Sequence, residues 1–251
     1  MKSGDRGEPD SEPRSDAQFL TTHWSDVFAA GEVNAPAAPQ ALERLCSTYR
    51  YPLYVFVRRY GKSPEDAEDL VQGFFASLIA KPDLADLSPS KGRFRAYLLA
   101  RLKNFLSDAR DREKAVKRGG GKPHVSLDGM TVEERYRQEP TDPMTPDKAY
   151  DVVWAQTLVK EARTLLRAEY EAAGKGELYV LLDCLEPGAA EHLTHAQIGE
   201  RLNKTECAVK NEAARMRQRF RELLRAQVAP TVSTLPEIDE EIRYIIELLG
   251  G

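Results

Sequence analysis

Residues 63–78 read SPEDAEDLVQGFFASL, and this stretch decides the fold class. Ser63 precedes Pro64, a residue suited to the first position of a helix, and Asp66 completes a Ser-x-x-Asp capping arrangement. The apolar side chains that follow recur at three and four residues, at Leu70, Val71, Phe74, Phe75, Leu78 and Ile79. The stretch therefore predicts an amphipathic helix with an acidic first turn.

The same helical spacing recurs on both sides of this stretch. It covers residues 40–61, where Pro52 is expected to kink or divide the helix, and residues 93–117. Further helices are predicted at about 148–173 and 176–185, and no alternating strand pattern stands out along the chain. The fold class predicted from the sequence is all-α.

Composition divides the chain into two small helical domains joined by a flexible linker. The polar residues 1–17 are predicted to be disordered, and residues 18–121 are assigned to the first domain. Four prolines and little periodicity mark residues 122–147 as the linker, which leads to the second domain at 148–228. Residues 229–251 are predicted to form an acidic tail helix. Its apolar face is predicted to comprise Ile238, Ile242, Ile245, Ile246 and Leu249.

A second capped pattern occupies residues 193–223, LTHAQIGERLNKTECAVKNEAARMRQRFREL. Thr194 is predicted to cap one helix and Thr205 the next, while Asn203 tolerates the left-handed backbone that a tight turn requires. Gly199 is predicted to lie at the helix crossing, where only a small residue allows close approach. The pattern favours a DNA-binding helix-turn-helix, although an αα-hairpin of an ordinary bundle would have the same apolar spacing.

Charge is distributed unevenly along the 251 residues. The 36 Lys and Arg residues against 40 Asp and Glu leave a net charge of −4, which by itself argues against nucleic-acid binding. Residues 91–122, however, carry a local charge of +8 and residues 201–225 carry +5, so the remainder carries −17. Because local fields decide what a surface binds, the two basic blocks favour a polyanionic partner.

Composition and motifs argue against secretion, membrane insertion and enzymatic chemistry. Three cysteines are too few for a disulfide framework, and no apolar run reaches the roughly 18 residues of a membrane span. The first residues lack the apolar core of a signal peptide, so we expect a cytoplasmic protein. Phosphate-binding loops and hydrolase motifs are absent from the sequence. The spacing of Cys184, His192, His195 and Cys207 matches no tight zinc-ligand pairing. We therefore expect no catalytic residues, no metal and no cofactor.

Both halves together resemble bacterial RNA polymerase sigma factors of the extracytoplasmic-function (ECF) type. Residues 63–78 look like region 2.2 of that family, and GRFRAYLLARLKNFLSDARDR at 92–112 is similar to regions 2.3 and 2.4. Residues 193–223 look like region 4, and TTHWSDVFAAG at 21–31 is similar to the opening of one sub-branch. Gly73 departs from the family pattern, which usually has Glu there. The resemblance implies a helical region 2 and a helix-turn-helix region 4 joined by a flexible linker.

The resemblance also implies a function in transcription initiation, with core RNA polymerase and promoter DNA as partners. The residues implied to dock on polymerase are Asp66, Glu68, Asp69, Leu70, Gln72 and Phe75. Those implied to meet the minus-ten element as it melts are Arg93, Arg95, Tyr97, Arg101, Lys103, Asn104, Arg110 and Arg112. Those implied to meet the minus-thirty-five element are Thr205, Lys210, Asn211, Arg215, Arg217 and Arg219.

Several alternatives stay open at this point. A helix-turn-helix transcriptional regulator acting without core polymerase would have no use for the stretch at 63–78, and a helical adaptor would bind protein only. The acids of that stretch are also explained by the dipole of a helix N-terminus, and Tyr97 lies on an apolar stripe where core packing is an equally good interpretation. An anti-sigma factor or a regulatory kinase is left open as a partner. A further hypothesis is that the acidic tail packs on either domain and covers its basic surface.

Overall fold

The computed structural model describes residues 38–80, 93–116, 132–138, 143–186, 189, 191–232 and 234–250, and these contain helices and no strand. The helices are α1 (Ala38–Arg59), α2 (Pro64–Ala80), α3 (Phe94–Val116), α4 (Val132–Gln138), α5 (Pro146–Ala172), α6 (Gly176–Asp183), α7 (His195–Leu202), α8 (Glu206–Val228) and α9 (Leu235–Gly250). The prediction of an all-α protein is confirmed. The expectations for residues 1–17 and 21–31 and for much of the linker concern residues outside the described ranges.

Helix α1 lies at the centre of the fold and packs against α2 and α5. Leu53, Val55 and Val57 are fully buried along it. Pro52 lies inside α1 without dividing it, so the predicted division does not occur. Proline removes one backbone hydrogen bond of a helix. Burial of residues 51–57 on several sides keeps this segment helical despite the missing bond.

Helix α2 begins where the capping pattern predicts. The backbone N–H of Asp66 donates to Ser63 Oγ at 3.1 Å, and Pro64 occupies the first position of the helix. Helix α3 packs against α2, and the rings of Phe74 and Phe105 meet edge to face with centroids 5.9 Å apart. These contacts fix which faces of α2 and α3 are left exposed.

A short helix, α4, lies inside the stretch that the sequence marks as a linker. It is attached to α1 because Glu133 accepts hydrogen bonds from Tyr54 Oη at 2.7 Å and from Arg58 Nε at 3.0 Å. Burial favours a raised pKa for Glu133, but the hydrogen bonds from Arg58, Tyr54 and Arg137 outweigh it and lower that pKa. Seven residues are too few for a helical period to stand out in the sequence.

Helix α5 joins the two halves of the chain. It packs on both α1 and α8, and its Tyr150 and Trp154 side chains are fully buried. The buried side chains of the described residues form one apolar cluster with members from both halves. None of the described helices combines the length and apolarity needed to cross a membrane.

Helix α9 packs on α5 and α8, but with a different face from the one predicted. Ile238 and Ile245 are buried as expected, whereas Ile246 is 61% exposed and Leu249 is 38% exposed. The position between the two buried isoleucines belongs to Glu241, whose side chain is fully buried. Residues three and four positions apart lie on the same face of a helix. The buried face of α9 therefore comprises Ile238, Glu241 and Ile245, and Ile246 points toward solvent.

Candidate nucleic-acid interface

Helix α2 presents an acidic face formed by Asp66, Asp69 and Gln72, which are all exposed. Glu68 is half-buried and accepts a hydrogen bond from Arg50 Nη2 at 3.1 Å. Acids beyond the first turn gain little from the helix dipole, so Asp69 is not explained by local helix stability. The acidic face of α2 is therefore a candidate for contact with a partner.

The two apolar residues implied to dock on polymerase are less exposed than this acidic face. Leu70 is half-buried against the core, and Phe75 is only 7% exposed. In this structure both contribute to packing within the fold. Gly73 faces α3, where an added Cβ would lie 3.4 Å from Phe105 Cζ.

Helix α3 presents a basic ridge formed by Arg101, Asn104 and Arg112. Together with the rings of Phe74 and Phe105, these side chains line a pocket of about 270 Å³. The Arg112 guanidinium lies 5.9 Å from the centre of the Phe105 ring. The half-buried Phe105 ring beside planar guanidinium and amide groups suits the stacking of an unpaired nucleobase.

Two other predicted members of the α3 interface differ in exposure. Arg110 is exposed near the end of the described side chains. Tyr97 is half-buried and stacks on Phe94, with centroids 6.2 Å apart and planes at 25°. The Arg101 guanidinium lies 5.9 Å from the Tyr97 ring. Tyr97 therefore packs against the core in this structure while keeping one edge near the basic ridge of α3.

Arg95 does not lie on the surface, although its motif predicts a DNA contact. It is 8% exposed, and its Nε donates to Glu241 Oε1 at 2.8 Å while Nη1 donates to Asp151. Its guanidinium lies 5.0 Å from the Trp154 ring and 4.5 Å from the Tyr244 ring. Burial favours a lowered pKa for Arg95, but the hydrogen bond to Glu241 and the charge of Asp151 raise it above the usual value.

Arg93, just before α3, and Lys103, within it, also meet acids from the second half of the chain. Arg93 Nη2 donates to Glu240 Oε2 at 3.1 Å, and Lys103 donates to Asp147. These acids lie 147 and 44 residues away in sequence. The sequence patterns that predict helices and caps span only a few residues. They therefore cannot predict ion pairs between residues so far apart.

The turn between α7 and α8 has the geometry that its sequence predicts. Gln197 N donates to Thr194 Oγ1 at 3.2 Å, and Thr194 N donates to Gln197 Oε1 at 2.8 Å, which completes a capping box. Asn203 adopts a left-handed conformation with φ 51° and ψ 45°. Thr205 Oγ1 accepts from Ala208 N at 3.2 Å and caps α8.

Close approach of the two helices explains Gly199. A Cβ added there would lie 2.6 Å from the carbonyl oxygen of Lys204, a distance that side chains do not tolerate. Ile198 and Val209 are fully buried on either side of the turn. The predicted close approach is thus present, and together with buried Ile198 and Val209 it fixes the direction in which α8 leaves the turn.

The first turns of α8 carry exposed polar and basic side chains. Lys210 Nζ lies 2.7 Å from Glu206 Oε1, and Arg215 Nη1 donates to Glu212 Oε1 at 3.4 Å. Asn211 is exposed between them. Both ion pairs are local and solvent-exposed, so they contribute little free energy and leave the cations accessible.

Farther along α8, the arginines meet acids from other elements. Arg217 Nε donates to Glu186 at 2.9 Å, and Arg219 makes two hydrogen bonds to Glu169, at 2.8 and 2.9 Å, besides one to Glu222. These bonds from Arg219 lower the pKa of Glu169. The basic face of α8 is therefore partly neutralised from within the fold.

The residues considered as metal ligands are not brought together. Among the described residues, no three His, Cys, Asp or Glu side chains are arranged to hold a metal ion. Cys184 is half-buried and its thiol donates to the Val180 carbonyl at 3.3 Å, whereas Cys207 is exposed on α8.

A comparison with known protein families gives a match that covers α1 to α3. The model of the Sigma-70 region 2 family matches residues 45–116, from within α1 to the end of α3. Neither the curated proteins nor the solved structures give a match to the chain. A region 2 domain implies binding to core RNA polymerase and supports a role in promoter melting. Residues 45–116 are thus similar to a sigma-70 region 2 domain, and this similarity supports a sigma-70 family factor.

Proposed function

We propose that the chain is a sigma factor of the ECF type, which directs promoter recognition by core RNA polymerase in the cytoplasm. In this proposal α2 docks on polymerase, α3 contacts the minus-ten element, and α7 with α8 is a helix-turn-helix that contacts the minus-thirty-five element. The observation that carries the proposal is the region 2 match, which coincides with the acidic face of α2 and the basic ridge of α3. The factor has no catalytic chemistry of its own.

The polymerase contact is supported by the exposure of the acidic face of α2. Asp69 lies beyond the first turn of α2 and is exposed, so its charge is available to a partner. Glu68 is engaged with Arg50 and Phe75 is buried, which concentrates the proposed contact on Asp66, Asp69 and Gln72.

Minus-ten recognition is supported by the pocket beside the basic ridge of α3. Single-stranded DNA binds where bases can stack on rings and phosphates can follow a basic track. Phe105 supplies a half-buried ring, and Arg101 and Arg112 supply guanidinium groups, around a pocket of about 270 Å³ that buried Phe74 and Asp108 also line. We expect Arg101, Asn104 and Arg112 to contribute more to this contact than Arg95, because Arg95 is buried.

Minus-thirty-five recognition is supported by the capped turn that directs α8. Lys210, Asn211 and Arg215 are exposed on the first turns of α8, the part of a recognition helix that enters the major groove. The division into domains at 18–121 and 148–228 with a linker at 122–147 is part of the same proposal. An anti-sigma factor or a kinase would regulate these contacts from outside.

The proposal is tested by reconstituting the chain with core RNA polymerase and selecting promoter DNA from a randomised library. Transcription from the selected DNA is then measured for the wild type, for Asp69→Ala and for Glu177→Ala. We expect Asp69→Ala to weaken core binding roughly tenfold, as loss of one central interface contact typically does. Glu177 is an exposed acid on α6, outside the proposed interface, and its replacement should leave binding unchanged.

Two outcomes would argue against the proposal. If the chain fails to co-elute with core polymerase and to support transcription, it is not a sigma factor. If it then binds duplex DNA regardless of core polymerase, a helix-turn-helix regulator is favoured. Salt-independent, weak DNA binding would instead favour a protein-binding adaptor, because phosphate contacts make DNA affinity fall steeply with salt.

A further inference from the structure

The buried charges around Arg95 join elements that are far apart in sequence. Arg95 lies on α3, Asp151 on α5, and Glu241 and Tyr244 on α9. Besides the 2.8 Å bond from Nε, Arg95 Nη2 donates to Glu241 Oε2 at 3.3 Å, so the carboxylate is held at both oxygens. Tyr244 Oη donates to Asp151 Oδ2 at 2.8 Å. The cluster thus connects the region 2 domain to the C-terminal helix.

Glu241 links α9, which packs on α5 and α8, to α3 through a buried ion pair with Arg95. Its side chain is fully buried between Ile238 and Ile245, and a buried carboxylate is tolerated only when it is paired. Arg93 adds a second cation, with Nη1 at 3.5 Å from Glu241 Oε2. Arg93, just before α3, and Arg95, in its first turn, therefore both pair with Glu241 of α9.

The pair has the geometry with which arginine binds phosphate. Two parallel N–H donors of a guanidinium match two oxygens of a carboxylate or of a phosphate equally well. Glu241 therefore occupies the donors of Arg95 that a nucleic-acid backbone would otherwise engage, while Glu240 engages Arg93 and Asp147 engages Lys103. Acids of the second half of the chain compete with DNA for the same cations.

Helix α9 also reaches the second proposed DNA-binding element. Asp239 pairs with Arg225 of α8, and α9 packs on both α5 and α8. The proposed DNA helices α3 and α8 are therefore held on one body through α5 and α9.

This arrangement cannot engage two promoter elements at once. Elements centred about 25 base pairs apart are separated by about 85 Å along B-form DNA. Helix α5 has 27 residues and is therefore only about 40 Å long, yet it carries both Asp151, which pairs with Arg95, and Glu169, which pairs with Arg219. Engagement of both elements requires α3 and α8 to separate.

We propose that α9 is an autoinhibitory latch, closed by the Glu241–Arg95 pair, which must open before the factor engages promoter DNA. This inference rests on the proposed function, because the latch inhibits that activity. The apparent dissociation constant equals the intrinsic one divided by the open fraction. A chain that is open about one tenth of the time gains about tenfold in affinity when the latch is removed.

The test compares Glu241→Gln with Glu247→Gln in the full-length chain. Both substitutions remove one negative charge from α9, but Glu247 is exposed on the outer side of the helix. Each variant is combined with core polymerase, and its affinity for the promoter DNA selected with the wild type is measured by fluorescence anisotropy. We expect Glu241→Gln to bind about tenfold more tightly than wild type and Glu247→Gln to match wild type. Equal affinities of all three would overturn the latch while leaving the proposed function intact.

A second measurement does not depend on the folding of any variant. Hydrogen exchange of the wild-type chain is recorded alone and in complex with core polymerase and promoter DNA. The latch predicts that amides of α9 exchange faster in the complex, because α9 leaves α3. Unchanged protection of α9 in a transcription-competent complex would overturn the latch. If no variant binds core polymerase or DNA, both the latch and the proposed function fail.

Discussion

Replacement of Gly199 by alanine tests the close approach of α7 to the turn that precedes α8. The new Cβ would lie 2.6 Å from the Lys204 carbonyl oxygen. This oxygen belongs to backbone that the left-handed Asn203 and the Thr205 cap hold in place, so it cannot move aside as a flexible side chain would. We expect the turn to open and the protein to lose stability.

The magnitude follows from two opposing terms. Overpacking a rigid site costs about 1–3 kcal/mol, and contact with backbone places Gly199→Ala near the upper end. Alanine regains about 1 kcal/mol of helix propensity over glycine, which leaves a net loss of about 2 kcal/mol. In a chain of this size the melting temperature should fall by about 4–8 °C.

Gly73→Ala is the matched control, since it is the same substitution inside another helix. Its Cβ would meet only Phe105 Cζ, at 3.4 Å, and that ring is half-buried and can adjust. We expect Gly73→Ala to raise the unfolding free energy by up to about 1 kcal/mol. Urea and thermal denaturation of both variants and the wild type give the comparison. If Gly199→Ala proves as stable as wild type while Gly73→Ala gains stability, the close crossing of α7 and α8 is refuted.

Four further substitutions, of which Arg110→Ala is the control for Arg95→Ala, test other parts of the fold. Arg95→Ala should destabilise the protein by about 3–5 kcal/mol in urea titrations, because it leaves buried Glu241 without its main partner. Exposed Arg110→Ala should change stability by less than about 0.5 kcal/mol. The folded pKa of Glu133 is lowered, so its stabilising contribution is complete above the unfolded value of about 4.3 and is lost as the pH falls through the folded value. Thermal melts of wild type should therefore decline more steeply in acid than those of Glu133→Gln. Thr194→Ala should cost about 1 kcal/mol, measured by urea unfolding, because the capping box is lost.

Each of these expectations has a contradicting result. Equal losses for Arg95→Ala and Arg110→Ala would show that the Arg95 cluster does not hold α9. Parallel acid profiles for wild type and Glu133→Gln would show that α4 is not clamped to α1. An unchanged unfolding free energy for Thr194→Ala would show that the cap of α7 contributes nothing.

The sequence determined the features that depend on neighbours within one or two helical turns. The caps at Ser63, Thr194 and Thr205 and the left-handed Asn203 are where the sequence predicts them. Each depends on a side chain bonding to backbone three residues away or on the conformational freedom of one residue. The helical class follows from the same short-range periodicity.

Some predictions from local sequence differ from the structure because tertiary packing overrides local preference. Of the kink or division predicted at Pro52, the division does not occur, because burial on several sides holds the segment helical. The apolar stripe of α9 was predicted to include Ile246, yet the buried position belongs to Glu241. A carboxylate at the centre of an apolar face is unfavourable unless a cation meets it, and the sequence near α9 does not contain that cation.

The tertiary structure decided which of the predicted site residues are accessible. Composition identified the basic blocks, but it treated Arg95, Arg101 and Arg112 alike. Arg101 and Arg112 line a pocket on the surface, whereas Arg95 is closed off by Glu241, a residue 146 positions away. An ion pair across that separation leaves no periodic signal, because it depends on how α3, α5 and α9 pack together. The sequence alone therefore determined the helices, their caps and the sign of their charge, and only the tertiary structure decided which charges lie at the surface.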